Sequence, residues 1–257
     1  MAVDAPVTTI PPAPHVRRTP AGYLVMPVFL ALVGLALYGY VSSQELDSIE
    51  ARSLNAGSLT TAVWEHVQLT FVSTVLVIAV AVPLGVLLTR PFTRRIRPFV
   101  LTVANLGQAL PTIGILALLA VAFLFLGFRA AVLGLVLYAI VPVLLNTMVG
   151  LEQVDESILE AGRGMGMSSF GVLRRIELPL AVPIILAGVR TALVINVGTA
   201  TLATYINGGG LGDVIVAGLS TNRTTVQIVG AGLTAILALL IDYLAGIAED
   251  FLRPRGL

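Results

Sequence analysis

The sequence has 257 residues, of which 57% are hydrophobic and 11% charged, with a net charge of +1 and a mean hydropathy of +0.97. A soluble domain carries about a quarter charged residues, so lipid is the expected solvent, and the balanced charge offers no basic surface for a nucleic acid. Cysteine is absent, which excludes disulfides and thiol chemistry. The two histidines, His15 and His66, lack a surrounding cluster of ligand spacing, and there is no phosphate loop of the G-x-x-x-x-G-K-S/T kind.

Residues 1–20, rich in proline and threonine, read as a disordered cytoplasmic tail. The first apolar run, Gly22 to Val41, has the length of a helix across the hydrocarbon core. No small-residue cleavage site follows it, so it is expected to be kept as a span rather than removed as a signal peptide. With the acidic segment after it (Glu45, Asp47, Glu50, Glu65) it makes up a first unit, 21–66. A second span is expected from Val67 to Leu88, closed by Arg90, Pro91 and an arginine cluster. The third apolar stretch, Phe99 to Leu126, is divided by Pro111 and reads as a kinked span or an interfacial lead-in to a short one. A fourth span covers Ala130 to Val149, a fifth Val182 to Ile206 and a sixth Val226 to Ile247. The core is thus expected over 67–249, with a short cytoplasmic tail at 250–257.

Arginine placement sets the orientation. With both termini inside, Arg17, Arg18, Arg90, Arg94, Arg95, Arg97, Arg163, Arg174, Arg175, Arg253 and Arg255 lie in the cytoplasm, against only Arg52, Arg129 and Arg223 outside. The fold class is therefore all-α integral membrane, with about six spans, N-in and C-in. Trp64 falls at the outer interface, where an indole is well accommodated.

The polar segment 151–180 is too charged to cross a membrane. Ser157 and Glu160 fit a capping box that opens a short helix, on which Ile158, Leu159, Ala161, Met165 and Met167 supply apolar contacts. Gly162, Gly164 and Gly166 imply close approach by another backbone or a turn. A second helical piece is expected from Ser169 to Ile176, stopped by Leu178-Pro179. On local physics alone, a capped helix and a glycine loop with no further role fit equally well.

The residues Glu160-Ala161-Gly162, Gly166 and Ile176-x-Leu178-Pro179 resemble the EAA motif of ABC importer permeases: E-A-A, three residues, G, nine residues, I-x-L-P. Gly162 replaces the second alanine. The resemblance implies that Glu160, Ala161, Gly162, Gly166, Ile176, Leu178 and Pro179 form a coupling helix docking on an ATP-hydrolysing subunit. It implies a five-helix permease core, here preceded by an extra N-terminal helix. It also implies two ATPase subunits, a second permease copy or paralogue and a separate extracytoplasmic substrate-binding protein. ATP and Mg are then bound by the partner ATPase; this chain carries no cofactor and no catalytic or metal site.

Asn105-x-x-Gln108-x-x-Pro111, Gly188-Val-Arg190-Thr191-Ala192, Val197 to Ala203 and Gly208-Gly209-Gly210-Leu211-Gly212 are similar to glycine betaine, choline and osmoprotectant permeases, so that the resemblance covers about residues 65–252. The glycine run is shared with methionine-type permeases and separates the two poorly. Polar residues within spans tend to face an interior or cavity. Asn105, Gln108, Asn146, Asn196, Thr199 and Thr204 are the candidates for pathway lining, although threonine often satisfies itself on its own helix. Gly208, Gly209, Gly210 and Gly212 are candidates for an outer gate, or equally for a plain turn. Arg190 is the one arginine inside a span, with Asp242 as a possible partner. An ion-coupled secondary transporter is the rival of a different class; within importers, the methionine or another small-solute class is the nearest alternative.

Overall fold

In a bilayer the backbone must satisfy its own hydrogen bonds, so apolar runs of this length become helices. The computed structural model describes residues 22–252. The tail 1–20, His15, Arg17, Arg18, Arg253 and Arg255 lie outside the described residues. In chain order the helices are α1 (Gly22–Ser42), α2 (Ser48–Ser53), α3 (Ala56–Leu88), α4 (Arg97–Ala109), α5 (Thr112–Ala122), α6 (Phe128–Glu152), α7 (Glu156–Gly164), α8 (Ser169–Val172), α9 (Leu178–Ala200), α10 (Leu211–Ser220) and α11 (Thr224–Leu252).

Among the described residues, five helical stretches are long and apolar enough to cross a membrane: α1, α3, α6, the continuous Ser169–Ile206 and α11. The expected third span, Phe99 to Leu126, is the pair α4–α5, bent by 91° at Leu110-Pro111. A proline with an extended residue before it cannot continue a straight helix, and Leu110 has ψ 132°.

Three boundaries differ from expectation. The second span begins at Ala56, not Val67, because Asn55 caps it, its Oδ1 accepting the Ser58 N–H at 2.9 Å. The sixth runs from Thr224 to Leu252, into the stretch read as tail. The third correction concerns Leu178-Pro179, which do not stop a helix. Leu173–Glu177 adopt a π-helical turn and the chain runs on into α9. Pro179 stands in the first turn of α9, where its missing N–H is tolerated.

The centre of the bundle is α3, α6 and α9. Val77, Ala81 and Leu88 of α3 pack on Ala139, Val143, Leu144 and Met148 of α6 and Ala192 of α9. Lipid tails are as apolar as these side chains, so close packing of small residues holds such helices together. A Cβ on Gly85 would meet Thr147 Cβ at 2.8 Å, and one on Gly188 would meet Asn146 Cβ at 2.6 Å. α11 lies against α9 and α10, and α1 against α11. Of α1 only Leu30 is buried, and the remaining apolar surface suits lipid.

Candidate coupling surface and transport bundle

At one end of the bundle α7 and α8 connect α6 to α9. The N-cap of α7 is Asp155, not Ser157: its carboxylate accepts the Ser157 N–H at 2.8 Å. The expected box between Ser157 and Glu160 does not form, because Ser157 already lies inside the helix. The Ser157 N–H holds the Asp155 carboxyl below the usual carboxylate range. A true capping box occurs instead at Asp47 and Glu50, where the Asp47 carboxylate accepts the Glu50 N–H at 2.8 Å and the Glu50 carboxylate accepts the Asp47 N–H at 3.1 Å.

The residues of the EAA-like stretch divide between two faces. Leu159 and Gly162 are buried, and a Cβ on Gly162 would meet Ile176 Cδ1 at 2.7 Å. Gly162 and Ile176 therefore belong to the inner packing of the segment, Leu178 packs on Leu151, Ala181 and Ile185, and Pro179 is half-buried. Glu160 and Ala161 are exposed. Gly166 has φ +84° with open space around its Cβ position. Its role is the left-handed turn between α7 and α8, which only glycine adopts freely, rather than close approach. Ile158, Met165 and Phe170 are exposed to 45%, 76% and 69%. Exposed apolar side chains on an otherwise polar segment make it a candidate interaction surface.

Several expected pathway residues are engaged within the chain. Pro142 has no N–H, which frees the carbonyl of Tyr138 one turn earlier; Gln108 Nε2 donates to that oxygen at 3.3 Å. Asn146 Nδ2 donates to Pro142 O at 2.8 Å. Thr199 Oγ1 donates to Ile195 O on its own helix at 2.8 Å. Asn196 is fully buried and faces α3 rather than an open surface, its Nδ2 donating to Thr74 Oγ1 at 3.0 Å. Thr204 is half-buried in the 3-10 turn Thr201–Ile206, and Asn105 stands exposed on α4.

At the opposite end the glycine run is locked to α3. Gly210 N donates to Glu65 Oε2 at 3.0 Å and Leu211 N to His66 Nδ1 at 3.2 Å, while His66 Nε2 lies 2.9 Å from Val197 O. A backbone N–H at Nδ1 and a carbonyl at Nε2 require the neutral ring with its hydrogen on Nε2. Gly210 has φ +99°, with His66 Nδ1 3.0 Å from where its Cβ would stand. Gly208, Gly210 and Gly212 are buried, with Gly209 half-buried between them. The glycine run is thus a packed turn that leads into α10. The glycines marked the turn in the sequence; the signal for its Glu65-His66 partner was two adjacent polar residues inside what proves to be a span. Beside it lies a depression of about 530 Å³ lined by Asn55, Ser58, Thr61, Glu65, Asp213 and Val214. Among the described residues no group of three or more His, Cys, Asp and Glu is placed to hold a metal ion.

A many-span bundle with most of its polar side chains bonded within the chain and an exposed helical segment between two spans suits a membrane transport component. The chain belongs to the family described as binding-protein-dependent transport system inner membrane component, which it matches over residues 81–255, and it is accordingly a multi-pass inner-membrane permease. It is 40% identical over 203 residues to the choline transport system permease protein OpuBB of Bacillus subtilis, covering 79% of this chain and 92% of that one. It is 41% identical over 203 residues, with the same coverage, to the glycine betaine/carnitine/choline transport system permease protein OpuCB of the same organism. Among solved structures it resembles the inward-facing MetNI methionine ABC transporter, with a TM-score of 0.67 and 25% identity over 76% of this chain and 96% of that one.

Proposed function

We propose that this chain is the permease subunit of an ATP-driven importer for quaternary-ammonium osmoprotectants of the glycine betaine, choline and carnitine type. The observation that carries the solute class is the 40–41% identity over 203 residues to permeases named for those solutes, against 25% to the methionine transporter. The acidic lining of the depression at the glycine-rich end, Glu65 and Asp213, also suits the approach of a cationic headgroup.

In this reading both termini are cytoplasmic, as the arginine distribution favours, and α7–α8 project into the cytoplasm. Two ATPase subunits bind ATP and Mg. The exposed residues Glu160, Ala161, Met165 and Phe170, positioned by the Gly166 turn, dock on the ATPase. A second permease copy or a paralogue completes the pathway, and a separate binding protein delivers solute at the glycine-rich end.

The test is uptake of radiolabelled glycine betaine, choline and methionine into proteoliposomes holding the permease with its ATPase and binding protein. ATP-dependent uptake of the first two supports the proposal. Uptake of methionine alone moves the chain to the methionine class, and uptake driven by an ion gradient without ATP makes it a secondary transporter.

A further inference from the structure

Glu177, the last residue of the π turn, has a carboxylate only 6% exposed, and its partner comes from another span. Arg90, just beyond α3, grips it with both guanidinium arms, Nη1 to Oε1 at 3.2 Å and Nη2 to Oε2 at 2.5 Å. The guanidinium is held from behind as well, Nε donating to Val86 O at 3.2 Å and Nη2 to Thr89 Oγ1 at 3.1 Å. Thr93 closes the end of α3 by donating to Leu87 O at 2.6 Å.

A buried ion pair is weak evidence for stability, because desolvation offsets much of the attraction. A two-pronged, fully engaged guanidinium does fix direction and register. Its location gives that register a use. Ile176, next to Glu177, is the residue against which Gly162 of α7 packs. Contacts therefore run without a gap from α7 through Ile176 and Glu177 to Arg90 and α3. In the EAA pattern Glu177 occupies the position left open between I and L, so the motif assigns it no role.

We propose that Arg90 and Glu177 form a positioning pair that transmits displacement of the α7–α8 segment to α3. The segment then moves two spans together: α9 through the continuous backbone and α3 through the Arg90–Glu177 fork. The π turn makes the second link necessary. Its looser hydrogen-bond register lets the segment tilt against α9, and without the fork α3 would not follow. The inference rests on the reading of α7 as the ATPase-docking segment.

The test measures solute uptake and ATP hydrolysis in the same proteoliposomes, with the complete complex. Glu177→Gln and Arg90→Met are expected to copurify with the ATPase and keep its hydrolysis within about twofold, while uptake per ATP falls about tenfold. The reversed pair, Arg90→Glu with Glu177→Arg, is expected to recover uptake per ATP to within about threefold of wild type. Single variants with wild-type uptake per ATP overturn the proposal. So do singles in which uptake and hydrolysis fall in proportion, as lost docking or folding would give. If the singles fail to accumulate in the membrane, Arg90→Lys keeps the charge without the fork, and wild-type uptake per ATP in that variant is equally fatal. A wild-type complex that transports only on an ion gradient refutes the importer reading itself, a result distinct from all of these.

Discussion

Arg190 on α9 and Asp242 on α11 face each other across the bundle in a two-pronged pair, Nε to Oδ1 at 2.5 Å and Nη2 to Oδ2 at 2.7 Å. Glu249 Oε2 lies 3.8 Å from Nη1. An arginine near a span centre costs about 2.5–3.5 kcal/mol to insert, and a carboxylate one helix away removes much of the reason for that cost. Asp242→Asn and Arg190→Gln should each lower the half-loss temperature of the detergent-solubilised protein. The double variant should melt closer to wild type than either single, because neither charge is then left alone. A double variant whose loss is the sum of the two singles would show that the residues act separately.

Replacing His66 with leucine removes an acceptor from the Leu211 N–H and a donor from the Val197 carbonyl, both deep in the bundle. Each buried group left unpaired costs about 1–3 kcal/mol. His66→Leu should therefore lower the melting temperature well beyond what a size-matched swap gives, and His66→Gln, which retains a donor and an acceptor, should lower it less. Equal melting of wild type and His66→Leu would mean that neither bond contributes.

Two glycines should respond in opposite ways to alanine. A Cβ on Gly212 would stand 2.0 Å from Thr201 O, which is backbone and cannot rotate away, whereas Gly114 has nothing within 4 Å. Gly212→Ala should cost at least the ~1–3 kcal/mol typical of overpacking. Gly114→Ala, in a helix, should be neutral or stabilising by up to about 1 kcal/mol. Thermal unfolding of the two purified variants decides it, and comparable stability of the two would contradict the packing described.

The cap of α7 titrates. Because the Ser157 N–H lowers the folded pKa of Asp155 below 3.8, its stabilisation is present at neutral pH and lost as pH falls through the lowered value. A spin label on a cysteine placed at Glu156 has no competing thiol in this chain. Its mobility should rise on acidification, stay flat above neutrality, and be high at every pH in Asp155→Ala. Asp155→Asn, an equally good cap without a charge, should abolish the acid step.

Gly166→Ala should strain the turn at φ +84° by about 1–3 kcal/mol, although the space there is open. Transport should fall more steeply than membrane accumulation. Gly166→Asn, which tolerates a left-handed backbone better, should keep more activity, and transport equal to wild type in Gly166→Ala would remove the turn from the coupling surface.

The spans were legible because lipid imposes length and apolarity on every crossing helix, and Pro111 announced the break between α4 and α5. The Arg190–Asp242 partnership was also legible, since two charges inside spans have few other ways to be satisfied. The purpose of Gln108 was hidden because its partner is a backbone carbonyl, that of Tyr138, freed by a proline on another helix. The start of α3 was hidden because residues 56–66 are polar enough to read as loop until Glu65 and His66 acquire the glycine run as a partner. Of the α7–α8 segment, the motif gave the residues but not their division into an inner face around Gly162 and an outer face around Met165. Sequence spacing fixes which side chains neighbour one another on a helix, and the direction of the neighbouring element decides which of them is covered.

From Ser169 to Ile206 the chain is one unbroken helical rod of 38 residues, roughly 55–60 Å at helical rise. The hydrocarbon layer is only about 30 Å thick, so much of the rod stands clear of the oil. The arm bearing Phe170 lies beyond the π turn Leu173–Glu177, so protein contacts, the Arg90–Glu177 fork among them, and not the lipid hold it at its angle to α9.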